Sequence, residues 1–163
     1  DKPLSGTEER TLGRDGLPNE LERFAAEHKV AEVTLVKSFD DCAKAISNGY
    51  PVFLCSMRGF SMTFRKDDKY GGGWLTPMGT WAHCMMGCDL RWDRPGILVP
   101  NSWGDCYEGP VDERLPKALQ MSSGWVDAAV IDSMCAGGDS YAVAGFNGFR
   151  PSLMPADFLD TVL

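Results

Sequence analysis

The spacing of apolar residues predicts two helices near the start of the chain. The first covers residues 17–29, where apolar positions recur on one face of a helix and Pro18 falls in the first turn. The second begins at Ser38, whose hydroxyl can cap it, and runs to Ser47 before the Asn-Gly pair that follows. Both helices therefore precede most of the predicted strands.

Strands are predicted where β-branched or alternating apolar residues form short runs between turn residues. These runs are residues 31–37, 50–57, 81–90, 96–100, 124–131 and 140–144. Residues 58–80 are polar and rich in glycine, and residues 104–123 contain two prolines, so both segments are predicted to be irregular. The pattern predicts an α+β fold with a mainly antiparallel sheet and one or two flanking helices.

Length and composition indicate one globular domain. The chain has 163 residues, of which 44% are hydrophobic and 24% charged, which is ordinary for such a domain. We expect the domain to cover residues 17–150, with tails or linkers at 1–16 and 151–163. A net charge of −7 argues against nucleic acid as the main ligand, because phosphate binding needs clustered cations. No apolar run approaches the roughly 18 residues of a membrane span.

The six cysteines allow two interpretations. An even number is compatible with disulfides, whereas the position of several cysteines inside apolar runs favours free, buried thiols. Cys84 and Cys88 are four residues apart, but no second cysteine pair or histidine cluster completes a tetrahedral set. We therefore predict neither a metal site nor a cofactor.

His83 is one of only two histidines and lies in the predicted strand 81–90, in the stretch WAHCMMGC. Alternation along a strand places His83 and Met85 on one face and Cys84 and Met86 on the other. An isolated histidine is most often a hydrogen-bonded core or surface residue. The NSWG stretch that follows the next strand favours a chemical role instead.

A thiolate nucleophile needs an imidazole beside it, and the imidazole needs a partner that fixes its orientation. Asn101 can serve as that partner, because its side-chain carbonyl accepts the ring N–H, and Trp103 can keep water away from the bond. A strand, a turn and a second strand would place Asn101 beside His83, with Ser102 and Gly104 as supporting residues of the motif.

These residues resemble the papain-like cysteine peptidases. The resemblance rests on His83 in TWAHCMMG, on Asn101 and Trp103 in ILVPNSWG, and on the helix, turn and strand in FDDCAKAISNGYPVFLCS. It covers about residues 31–131, and with DSYAVAGFNGF the layout is most similar to papain-like proteins of tailed bacteriophages. It implies the β-rich half of a papain fold and a thiol hydrolase that cleaves peptide or isopeptide bonds.

The chain departs from the family because it has no Gln…Gly-x-Cys-Trp segment to supply the nucleophile. Of the local cysteines, only Cys106, in the loop after NSWG, remains a candidate. We expect the nucleophile on an upstream segment absent from this chain, which opens on Asp1. The expected partners are then that N-terminal half and a peptide or protein substrate. The alternative is an inactive papain-like domain that serves as a structural or docking part of a larger assembly such as a virion, in contact with other virion proteins. The resemblance is compatible with a location in the virion or the host cytoplasm, and the sequence alone does not give the compartment.

Overall fold

The computed structural model describes residues 19–100, 112–120 and 123–146, and these divide into two compact units. The smaller unit takes its described residues from 1–31 and 145–163, and the larger one from 32–144. The smaller unit holds helix α1 (Asn19–Glu27), within the predicted span 17–29. The ring of His28 stacks on Phe24 at 4.2 Å, so the second histidine packs locally at the end of this helix. The predicted tails at 1–16 and 151–163 lie outside the described residues.

Two sheets and three helical segments follow α1 in the described residues. The strands are β1 (Val30–Leu35), β2 (Val52–Phe60), β3 (Arg65–Lys66), β4 (Gly73–Trp74), β5 (Pro77–Gly87), β6 (Asp89–Arg91), β7 (Gly96–Pro100), β8 (Ser123–Asp127) and β9 (Tyr141–Phe146). The helices are α2 (Phe39–Ser47), α3 (Lys117–Gln120) and α4 (Ala128–Cys135). No helix in the described part of the chain is long and apolar enough to cross a membrane.

One sheet has the order β1-β9-β2-β5 and the other the order β3-β4-β8-β7-β6. The pairs β2–β5, β2–β9, β3–β4, β6–β7 and β7–β8 are antiparallel, while β4 and β8 pair in parallel through Trp74 and Trp125. The prediction of a β-rich α+β fold with a mainly antiparallel arrangement is confirmed.

Helix α2 begins and ends at the residues that the sequence indicates. The hydroxyl of Ser38 accepts a hydrogen bond from the backbone N–H of Asp41 at 3.1 Å, which satisfies one of the free donors of the first turn. Gly49 ends the helix at a φ of 80°, a conformation that glycine adopts without strain. The buried face of α2 includes Phe39 and Cys42, which join the main core beneath the β2–β5 sheet.

The predicted strand 124–131 is wrong in its second half. β8 ends at Asp127, and helix α4 starts at the next residue. Buried residues of α4 recur as Ile131, Met134 and Cys135, which is helical spacing. A short apolar run does not distinguish strand from helix by periodicity alone, and here the run spans the boundary between the two.

The irregular segment predicted for residues 58–80 is also wrong in part. β2 continues to Phe60, β3 and β4 lie within the segment, and β5 begins at Pro77. β3 pairs with the nearby β4, and β4 also pairs with β8, which is distant in the sequence. Strands of two residues are too short for local alternation to reveal them. Within 104–123, the described residues include the short helix α3, and the rest of that excursion before Asp112 lies outside them.

The predicted strand 81–90 is divided between the two sheets. β5 ends at Gly87 and pairs with β2, while β6 starts at Asp89 and pairs with β7. Between them, the backbone N–H of Cys88 donates to the carbonyl of Leu98 at 3.1 Å. The strand that carries His83 thus leaves one sheet and enters the other within two residues.

Candidate functional site

His83 lies on the inner face of β5. Along this strand Trp81 and His83 are half-buried and Met85 is buried, whereas Cys84 and Met86 are exposed. The two sets of side chains therefore project from opposite faces, as the alternation predicts. Across the ladder, His83 pairs with Ser56 of β2 on the same face.

A β-bulge lies immediately before His83. Ser56 pairs with His83, whereas the next pair is Arg58 with Thr80, so β5 has one more residue than β2 between the two pairs. The indole N–H of Trp81, within the bulge, donates to the carbonyl of Arg58 at 2.9 Å. Bulges of this kind redirect side chains and occur often beside active sites. The bulge thus sets the direction of the residues next to His83.

His83 borders a cleft of about 360 Å³ between β2, β5 and the C-terminal end of α4. Ser56 lies on the β2 side, Ser133 on the α4 side and Asp139 just after the helix. The neighbour of Ser133, Met134, is only 1% exposed and anchors α4 in the core. Since α4 was not predicted from the sequence, Ser133 and Asp139 were not predicted to lie near His83.

Hydrogen bonds and a ring contact hold several side chains around the cleft in position. The hydroxyl of Ser133 donates to the carbonyl of Val130 at 2.7 Å. Arg58 Nη2 lies 3.4 Å from the hydroxyl oxygen of Ser133. The ring of Trp81 meets His83 edge to face, with centroids 6.1 Å apart. The imidazole therefore has an aromatic wall on one side and an open, partly polar volume on the other.

The predicted partners of His83 cannot be placed against it. Asn101, Ser102, Trp103, Gly104 and Cys106 lie outside the described residues. β7 leads directly to Asn101, and its last residue, Pro100, pairs with Ser123 of β8. The proximity of His83 and Asn101 therefore stays a prediction.

The described cysteines are free thiols. Three of them have a raised pKa and therefore form the thiolate less readily than an ordinary cysteine. The hydrogen bond with Cys135, 3.6 Å away, and burial raise the pKa of Cys42. Burial and a hydrogen bond with Cys84 raise the pKa of Cys55 to about 11. Burial also raises the pKa of Cys88 to about 11. Among the described residues, these three thiols are unsuited to act as the nucleophile for His83.

The described residues contain no group of three or more histidine, cysteine or acidic side chains that could hold a metal ion. Within the cleft the titratable side chains are His83 and Asp139, with the thiol of Cys55 turned toward Cys84. Two or three such groups on different faces do not form a coordination set. Among the described residues of the cleft, the imidazole of His83 is a group that can support acid–base chemistry.

A second cluster, of arginines and aspartates around two tryptophans, was not predicted. Arg91 is only 7% exposed, and its guanidinium donates to Asp93 and to the carbonyl of Tyr70 at 2.7 Å. It also lies over the rings of Trp74 and Trp125, at 5.5 and 5.1 Å from their centroids. A buried guanidinium with these partners fixes the loop before β4 against β6.

Carboxylates of this arginine cluster are held in the charged form. Hydrogen bonds from Arg91 lower the pKa of Asp93 to about 2. Hydrogen bonds from Arg114 lower the pKa of Asp112, whose Oδ2 also accepts from the indole N–H of Trp125 at 3.1 Å. The cluster is thus a structural element that depends on ionised aspartates.

Comparison with family models, with curated proteins and with solved structures found no match for this chain.

Proposed function

We propose that this chain is the part of a papain-like thiol hydrolase that carries the base, with His83 as that base and Asn101 as its orienting partner. The observation that carries the proposal is the position of His83, on the inner face of β5 beside a bulge, at a cleft of about 360 Å³. A volume of this size lies within the range of small-molecule and substrate sites. The resemblance of the NSWG segment supplies the role of Asn101.

The reaction needs a cysteine from outside the described residues. Its thiolate, paired with the His83 imidazolium, attacks the carbonyl carbon of a peptide or isopeptide bond and forms a tetrahedral intermediate. The imidazolium then gives its proton to the leaving amine, and the C–N bond breaks to leave a thioester. Water, deprotonated by the neutral imidazole, hydrolyses that thioester and restores the thiol.

A second candidate is an inactive papain-like domain that serves as a docking part of a larger assembly such as a virion. The state of the described cysteines favours it. Cys42 and Cys135 are buried against each other, and the sulfur of Cys55 lies against that of Cys84. If no other cysteine reaches the cleft, the imidazole has no thiol to activate.

Thiol labelling distinguishes the two candidates. The protein is expressed from its complete gene, exposed to limiting iodoacetamide near pH 6 and analysed by mass spectrometry for the alkylated cysteine. At this pH an ordinary thiol, with a pKa of about 8.5, is almost entirely protonated, so fast labelling marks a cysteine activated by imidazolium. His83→Ala should abolish the fast labelling, and Asn101→Ala should reduce it less.

His28→Ala is the matched control, because the only other histidine packs on Phe24 in the smaller unit. Labelling that depends on His83 and not on His28 supports the hydrolase, and the labelled peptide identifies the nucleophile, Cys106 included. If no cysteine shows labelling that depends on His83, the hydrolase proposal fails and the docking role stands.

A further inference from the structure

The cysteines Cys55 and Cys84 are directly opposite each other on β2 and β5. Their sulfur atoms lie 2.8 Å apart, with the thiol of Cys55 donating to the sulfur of Cys84. They project from the outer face of the sheet, opposite to the face that carries Ser56 and His83. Cys55 also borders the cleft described above, but its thiol is turned toward Cys84, which does not line the cleft.

The hydrogen bonds of the Cys55 backbone show whether Cys55 and Cys84 are a hydrogen-bonded or a non-hydrogen-bonded pair of the antiparallel ladder. The N–H of Cys55 donates to the hydroxyl of Ser140 at 3.2 Å, and that hydroxyl lies 3.4 Å from the carbonyl of Cys55. In an extended strand the N–H and C=O of one residue point to the same side. Both groups of Cys55 thus point away from β5, and Cys55 and Cys84 form a non-hydrogen-bonded pair.

Non-hydrogen-bonded pairs bring the two backbones closest together, with Cα atoms about 4.5 Å apart. Disulfides form between Cα atoms about 4.4–6.8 Å apart. The pair therefore lies at the short end of the permitted range, so a bridge can form with small shifts of the two strands.

Solvent access distinguishes this pair from the other close pair of thiols. Cys84 is exposed and Cys55 is half-buried. Cys42 and Cys135, with sulfur atoms 3.6 Å apart, are 0% and 1% exposed. A small disulfide or peroxide can approach Cys84, whereas the packed core excludes it from the other pair.

We propose that Cys55 and Cys84 are a redox modification site, converted reversibly to a cross-strand disulfide by exchange with a small disulfide such as oxidised glutathione. The thiolate of Cys84 attacks one sulfur of oxidised glutathione, which forms a mixed disulfide and releases one glutathione thiolate. The thiolate of Cys55 then attacks the Cys84 sulfur and releases the second glutathione. Two protein thiols are oxidised, one glutathione disulfide is reduced to two thiols, and each thiol proton passes to a departing glutathione.

The order of these steps follows from the surroundings of the two thiols. Cys84 is the exposed sulfur and accepts the hydrogen bond, so it meets the oxidant first. Cys55, whose pKa is raised to about 11 mainly by burial, donates that bond and loses its proton only when it displaces glutathione. The adjacent sulfur makes this second step intramolecular.

The test is mass spectrometry of the folded chain after incubation with oxidised glutathione, alkylation of the remaining thiols and tryptic digestion without reductant. We expect peptide 45–58, which contains Cys55, linked to peptide 70–91, which contains Cys84 and Cys88. Fragmentation must assign the bond to Cys84. An excess of reduced glutathione should remove the linked species.

Two variants serve as controls. Cys84→Ser, a change at an exposed position, should abolish the linked peptides, whereas Cys42→Ser should leave their yield at the wild-type level. The proposal is overturned if the wild-type chain yields no linked peptides, if the bond involves Cys88, or if reduced glutathione fails to remove it. It is also overturned if the linked peptides persist in Cys84→Ser. The readout is independent of hydrolase activity, so this proposal and the proposed function can fail separately.

Discussion

Replacement of Arg94 by alanine should destabilise the fold far more than the loss of an ordinary surface ion pair. The guanidinium of Arg94 makes two parallel hydrogen bonds to the carboxylate of Asp127, both 2.9 Å long. It also pairs with Asp67 and lies 3.6 Å from the centre of the Trp74 ring. One side chain thus joins the turn before β7 to the start of α4 and to the loop before β4.

The size of the effect follows from partial burial. Side-chain exposure is 17% for Arg94, 20% for Asp67 and 34% for Asp127, between the surface and the interior. Exposed pairs contribute about 0–1 kcal/mol, while breaking a buried pair costs about 3–5 kcal/mol. Asp127 occupies the N-cap of α4 without a capping hydrogen bond, because its carboxylate is engaged by arginine. Without Arg94, its remaining ion pair is a 3.7 Å contact with the exposed Arg65. The carboxylate can then cap the helix and recover about 1 kcal/mol. We expect a net loss of about 2–3 kcal/mol.

Urea denaturation followed by tryptophan fluorescence measures this loss, and thermal unfolding should show a midpoint lower by roughly 4–12 °C. Lys66→Ala is the matched control, because Lys66 and Asp68 pair at 2.8 Å with side chains 70% and 86% exposed. That variant should change the free energy of unfolding by less than about 0.5 kcal/mol. If Arg94→Ala costs no more than Lys66→Ala, the inference that burial makes this cluster stabilising is wrong.

Three further predictions concern acid, core packing and a close contact. Hydrogen bonds from Arg91 hold the pKa of Asp93 at about 2, against an ordinary 3.8, so the stability that Asp93 contributes is present above pH 3.8 and is lost as the pH falls toward 2. Asp93→Asn should flatten the decline of the urea midpoint over this range, and an unchanged slope would contradict the assignment. Leu54→Ala should cost about 2–5 kcal/mol in urea titrations, because the side chain is 0% exposed. Phe53→Ala, at a position 38% exposed, should cost clearly less, and equal losses would refute the assignment of faces. Gly124→Ala should cost about 1–3 kcal/mol by the same assay, because the added carbon would meet a leucine side chain at 2.8 Å, and a wild-type midpoint would show that the contact relaxes freely.

Elements whose boundaries depend on their own residues could be predicted from the sequence. Ser38 and Gly49 bound α2 through a cap and a positive φ, and both effects are local. The alternation that separates His83 from Cys84 is likewise a property of one strand. These features could be predicted because no distant residue is needed to produce them.

Features that depend on distant partners could not be predicted in the same way. β4 lies beside β8 because Trp74 pairs with Trp125, and nothing near residue 74 indicates that partner. The start of helix α4 lies in an apolar run that was predicted as strand, although Asp127 at the helix start is a typical N-cap residue. As long as α4 is not predicted, no pattern in the sequence places Ser133 or Asp139 beside His83.

The β5 strand carries an imidazole and a thiol at adjacent positions. His83 projects into the cleft, and the very next side chain, Cys84, projects to the opposite surface. The thickness of one sheet lies between them, so a substitution at one position need not disturb the other. Selection can therefore change the proposed base, His83, and the proposed redox-sensitive thiol, Cys84, independently, even though they are neighbours in the gene. A scan of all substitutions along β5 should yield two interleaved tolerance profiles, one for the odd positions from 81 to 87 and one for the even positions between them.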